Sequence, residues 1–224
     1  MPFMDSLYPI PPTLGSHKER PVKWIGYVVI MLCIFQSTGR ALDSPNIEPD
    51  EAELKRGKAY IYEIIPERKK GKGYKLVYMV AAPINVYWNF KTDFDNDFLL
   101  TNKYITNHRL IQHKANVAIT ENSYATKPHV LFKWQTRIDP ESHRLDFLLL
   151  NPQESGQKFH YGTIQLRAAG SYTKVSQVAY FDFFGVSLWV NYPWYGGMSY
   201  FLNYTVRWEQ QTLRRLKGKY KGTN

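Results

Sequence analysis

Cysteine is almost absent from this chain: Cys33 is the only one in 224 residues. That excludes a disulfide framework, a CxxC redox pair and a multi-thiolate zinc site. Acidic residues are also few, 19 Asp+Glu against 29 Lys+Arg, for a net charge of +10. The compact motifs of several enzyme classes are missing as well. There is no HExxH zinc pair, no GxSxG nucleophile elbow and no GxxxxGK[ST] phosphate loop. The basic stretch from Arg68 to Gly73 lacks the phosphate-loop spacing, and strand-like sequence follows it, so it reads as a solvated turn. Asp93, Asp95 and Asp97 copy the start of a calcium loop, but Phe98 replaces its glycine and Tyr104 its bidentate glutamate, so no metal is expected there. His108, His113, His129, His143 and His160 form no ligand cluster, and no cofactor motif is present.

Aromatic residues, by contrast, are abundant at 16%. Their rings bury large areas and suit the wall of a pocket as well as a core. The apolar run Trp24 to Phe35 ends after twelve residues, short of the roughly 20 that cross a bilayer. It matches the apolar region of a secretory signal, and Gly39-Arg40-Ala41 supplies small residues for a cut after Ala41. Residues 1–41 are therefore read as a signal peptide; the alternative is an uncleaved N-terminal membrane anchor. Cleavage would leave a basic, cysteine-free chain of about 180 residues, long enough to hold itself together by packing alone. Its expected place is the periplasm or another envelope compartment. There a basic surface points to anionic membrane rather than to nucleic acid.

Residues 42–56 read as a polar leader with one helical turn at 49–56. Alternation predicts a hairpin with strands at 60–65 and 74–80. Pro83 opens a short helix over 83–92, where its missing N–H costs nothing, and a second helical patch is expected at Phe98–Tyr104. From there to Phe183 the pattern predicts about five antiparallel strands, the first an irregular one at 107–124. A long helix follows from Met198, with Gly196-Gly197 before it and Gly218 after it. At 100° per residue its apolar side chains, including Phe201, Leu202, Val206, Trp208, Leu213 and Leu216, fall within about 80° of one direction. Glu209 lies in the middle of that stripe. It reads either as a buried carboxylate paired with a basic strand residue or as a polar anchor inside a cavity.

The segment Ala82-Pro83-Ile84-Asn85-Val86-Tyr87-Trp88, with Asp93 five residues on, resembles the "APxxxxW…D" signature of the START-like (SRPBCC) superfamily. Together with the order of elements it covers about 57–217, leaving 218–224 as a basic tail, and it looks most like the coenzyme-Q-binding and polyketide-cyclase-like branch. The resemblance implies an α+β helix-grip fold: a curved antiparallel sheet wrapped around a long C-terminal helix, with two short helices after the first strands. It also implies a hydrophobic cavity for a lipid, quinone or polyketide-like ligand, and it brings no catalytic residues.

The expected function is therefore non-catalytic binding or transport of a hydrophobic small molecule or lipid by an exported monomer. The alternatives are a cyclase- or dehydratase-type enzyme using the same cavity, and an interaction module whose core is filled. Candidate lining residues are Trp88, Trp134, Phe147, Tyr161, Trp189, Trp194, Phe201, Trp208 and Glu209. The aromatic run from Trp189 to Met198 reads as a lid or as a packed corner. An enzyme would draw its acid–base pair from His160, Tyr161, Asp146 and Glu209.

Overall fold

A computed structural model describes residues 49–66, 70–124, 130–184 and 197–221. The segment read as a signal or anchor, Trp189 and Trp194, and the last three residues of the tail lie outside them.

Asp50 starts the first helix, α1 (Glu51–Lys55), by accepting the backbone N–H of Ala52 at 2.8 Å and of Glu53 at 3.3 Å. Leu54 is 1% exposed and packs with Tyr60, Tyr62, Val77 and Met79. Helix α1 falls where one helical turn is expected, within the stretch read as a polar leader, and its Leu54 is part of a packed cluster. Strands β1 (Tyr60–Ile64) and β2 (Lys72–Val80) pair antiparallel as the predicted hairpin. Helix α2 (Ile84–Thr92) follows with Pro83 at its cap position, and Phe98–Thr101 form a short 3-10 turn.

The meander has six strands, β3 (Ile105–Lys114), β4 (Val117–Tyr124), β5 (Val130–Asp139), β6 (Arg144–Leu149), β7 (Gln157–Ala169) and β8 (Tyr172–Phe183). The irregular stretch 107–124 is two of them, which corrects the expectation of about five. They turn at Ala115, whose φ of 50 is left-handed. Alanine is no turn signal, and bulges after Ile105 and Leu110 disturb the alternation on β3. The sheet order is β1-β2-β8-β7-β6-β5-β4-β3, antiparallel throughout.

The last helix, α3 (Gly197–Leu216), lies on the inner face of the curved sheet. Its Val206 and Leu213, both 2% exposed, pack with Leu76, Tyr78, Val80 and Val86. Gln210 donates from Nε2 to the carbonyl of Met79 at 2.8 Å, which ties the helix to β2. Tyr220 and Lys219, beyond the helix, both donate to Asp93 Oδ2, at 2.6 and 2.8 Å. The first acid of the apparent calcium loop thus anchors the C-terminal segment to the end of α2. This is the α+β helix-grip arrangement.

Candidate functional site

Because side chains alternate along a strand, every second residue of β2 and β4–β8 faces α3. The sheet and helix enclose a cavity of about 350 Å3 between them. Its wall is mostly rings and aliphatic chains: Tyr74 and Leu76 from β2, Phe132 and Trp134 from β5, Phe147 from β6, Phe181 from β8, and Phe201 and Trp208 from α3. Gly162 makes one part of this wall possible. A Cβ there would collide with the Phe147 ring and with backbone of β8. Only glycine lets Phe147, its partner across the strand pair, lie over that position.

Polar side chains interrupt this wall, among them Asn96, Thr120, Asn122 and Gln177, and one group of them forms a charged cluster. Glu209, 5% exposed, is fully partnered. Its Oε1 accepts from Tyr78 Oη at 2.5 Å and from Tyr87 Oη. Its Oε2 accepts from Lys91 Nζ at 2.9 Å, and the two tyrosine oxygens lie 3.1 Å apart. Helix α2 supplies Tyr87 and Lys91, β2 supplies Tyr78 and α3 supplies the acid, so the cluster joins three elements. Burial, and then the adjacent Glu209 charge, hold both tyrosine hydroxyls well above their ordinary range, so they remain donors. Glu209 therefore combines the two readings of the sequence, being charge-paired and lining the cavity. Its basic partner comes from a helix rather than a strand.

On the sheet side of the cavity stands His160 of β7. Trp134 and Phe181 lie 4.9 and 5.2 Å from it between ring centroids, and Phe147 lies 6.1 Å away. Desolvation by these neighbours pushes its pKa down to about 3, so the ring is neutral at physiological pH. Its Nδ1 contacts Oε1 of the fully buried Gln157 at 3.1 Å. Thr205 of α3 also lines the cavity, with an Oγ1 that is buried and has no hydrogen-bond partner among the described residues. His108, near β3, is held between Asn122 Oδ1 at 2.6 Å and the carbonyl of Phe94 at 2.8 Å.

Five of the residues singled out from the sequence meet in this wall: Trp134, Phe147, Phe201, Trp208 and Glu209. Trp88 does not line it; the indole packs into the core behind the cavity, edge-on to His143 at 5.3 Å. Tyr161 does not line it either, because it has the opposite parity to His160 and stacks on Tyr180, at 5.4 Å, on the outer face. Trp189 and Trp194 fall outside the described residues. The four acid–base candidates do not converge. Asp146 and Tyr161 sit on the outer face, where Asp146 is bound by Arg137 and Arg144, and only His160 and Glu209 reach the cavity. Sequence reasoning missed Tyr78, Lys91 and Thr205. One signal was available: Lys91 is a charge four residues from Tyr87 on a mostly apolar helix, complementary to the charge misplaced on α3.

No protein-family model matches the chain, and no curated protein matches it. Among solved structures it is similar to truncated norcoclaurine synthase from Thalictrum flavum, at 12% identity and a TM-score of 0.50, over 64% of this chain and 94% of that one. It is also similar to the Zhui aromatase/cyclase from Streptomyces sp. R1128, at 12% identity and a TM-score of 0.46, over 68% and 94%. At such identity the likeness to norcoclaurine synthase shows the fold alone, the helix-grip arrangement described above.

Proposed function

We propose that this chain binds a hydrophobic ligand in the cavity between α3 and the sheet, without transforming it, and that it does so as an exported protein. The observation that carries this reading is a ring-lined, mainly apolar cavity of about 350 Å3 at which Glu209, Tyr78, Tyr87 and His160 are held in states unsuited to proton transfer. A general acid or base works best with a pKa near the operating pH and a free path to the substrate. Here both carboxylate oxygens of Glu209 are occupied by protein donors. Tyr78 and Tyr87 hold their protons too firmly, and at about 3 His160 is a weak base. Burial of apolar surface supplies the affinity, at roughly 25 cal/mol per Å2, and a few polar contacts set the orientation.

Lipid is the ligand class that fits best with export and a basic surface, the latter suited to an anionic membrane. The support for export is the apolar run Trp24–Phe35 and the small residues before Leu42. A second reading, a cyclase- or dehydratase-type enzyme, is favoured by one observation: Lys91 and Glu209 together face the cavity. Both readings are tested on protein purified from its own host, by native mass spectrometry followed by solvent extraction. A binder retains a stoichiometric apolar molecule and returns it unchanged when the extract is added back. Conversion of that molecule, abolished in Lys91→Met, would establish the enzyme. N-terminal sequencing tests export: the chain from the envelope fraction is expected to begin at Leu42, and a full-length chain in the cytosol would refute it.

A further inference from the structure

Resting on this apolar-ligand reading, one side chain of the wall says which polar group the ligand carries. His160 lines the cavity, and its Nδ1 lies 3.1 Å from Oε1 of Gln157. With Gln157 turned so that Oε1 meets the ring, Nδ1 carries the proton of the neutral imidazole and Nε2 is left with its lone pair. Trp134, Phe147 and Phe181 pack round the imidazole. Gln157 is 0% exposed and its own Nε2 has no partner among the described residues, so the tautomer of His160 follows the orientation of this one buried amide. Nε2 of His160 has no hydrogen bond among the described residues, and rings surround it on this part of the wall. An unpaired acceptor at such a place costs free energy unless a ligand or water satisfies it. On the helix side of the same cavity the Oγ1 of Thr205 is likewise without a partner.

We infer that His160 Nε2 is the hydrogen-bond acceptor that selects the ligand, favouring apolar molecules with a neutral hydroxyl or N–H donor over those ending in a carboxylate, ketone or ether. The carboxylate of Glu209 is already engaged by the protein, two tyrosine hydroxyls on Oε1 and the Lys91 ammonium on Oε2, whereas His160 Nε2 is engaged by none. A sterol-like or phenolic hydroxyl, or an amide N–H, has the required chemistry. A free fatty acid, ionised at neutral pH, would set negative charge against the lone pair.

The test uses 2-naphthol and its O-methyl ether, 2-methoxynaphthalene, each titrated calorimetrically into the full chain and into His160→Phe, so that burial of the extra methyl group cancels between the two proteins. The preference for the naphthol is expected to be about fivefold greater in the wild type than in His160→Phe, the worth of one neutral hydrogen bond. Should that variant fold poorly, 15N-histidine NMR of the wild type decides the matter. Nε2 of His160 is expected to be unprotonated in the free protein and to shift on adding naphthol but not its ether. The same preference in both proteins, or an Nε2 that carries the proton, would overturn the inference and leave the cavity reading standing. Failure of both probes to bind would overturn the cavity reading and the inference with it.

Discussion

Glu209 is where the fold and the cavity meet, and its removal separates their energetics. In Glu209→Gln the amide oxygen can still accept from the tyrosines, but Lys91 loses its counter-charge. Breaking a buried pair on one side commonly costs about 3–5 kcal/mol. Lys91 is 17% exposed at its side chain, so water recovers part of that, and a loss of about 2–3 kcal/mol in urea unfolding is expected. An unchanged midpoint would mean that the pair does not form. His160 has its own signature in pH. The unfolded ring takes up a proton near 6.5 and the folded ring only near 3, so the unfolded state binds more protons throughout that window. Stability therefore falls as pH drops from 6.5 toward 3, by up to about 1.4 kcal/mol per pH unit from this one group. His160→Phe is expected to flatten that part of the stability–pH curve. A curve of unchanged slope would show that the ring is solvated when folded.

At the scale of elements, β6 and β7 are held in register by the seat of Phe147 over Gly162. Gly162→Ala sets a methyl group against β8 backbone, which cannot move aside as a flexible side chain can. A destabilisation of about 2–3 kcal/mol is expected from thermal melts, and a wild-type melt would place Phe147 elsewhere. The elements themselves were largely legible in the sequence where one periodicity ran unbroken. The α3 stripe and the alternation on β5 and β6 are of that kind. The β3–β4 hairpin was not, because two bulges interrupt the alternation and Ala115 occupies the turn position that glycine or asparagine usually advertises. The cavity wall was legible only in part. Trp134 and Phe147 follow from strand parity once the inner face is known, yet Tyr161 shows that a ring's presence does not give its side. Tyr78, Tyr87 and Lys91 meet Glu209 across more than a hundred residues of chain, and no local pattern carries information over that distance.

The molecule as a whole departs from a filled core in one way: the sheet curves round α3 without closing on it, and rings line the space that remains. The outer face at the β1–β2 end is covered by α1 through Leu54, and the inner face there packs on Val206 and Leu213, so the cavity lies beside a packed core. Some of the fold's stability is thereby given up, since an empty apolar void loses the contacts that side chains or a ligand would make. A bound apolar molecule restores them and raises the melting temperature with its concentration. The most direct measurement is a fluorescence titration of the neutral probe N-phenyl-1-naphthylamine into the wild type and into Ala179→Trp, which fills the cavity from β8. Cavity binding predicts saturable one-to-one uptake by the wild type and its near-complete loss in a variant that still melts cooperatively. Equal uptake by both proteins, or no saturable uptake by the wild type, would contradict it.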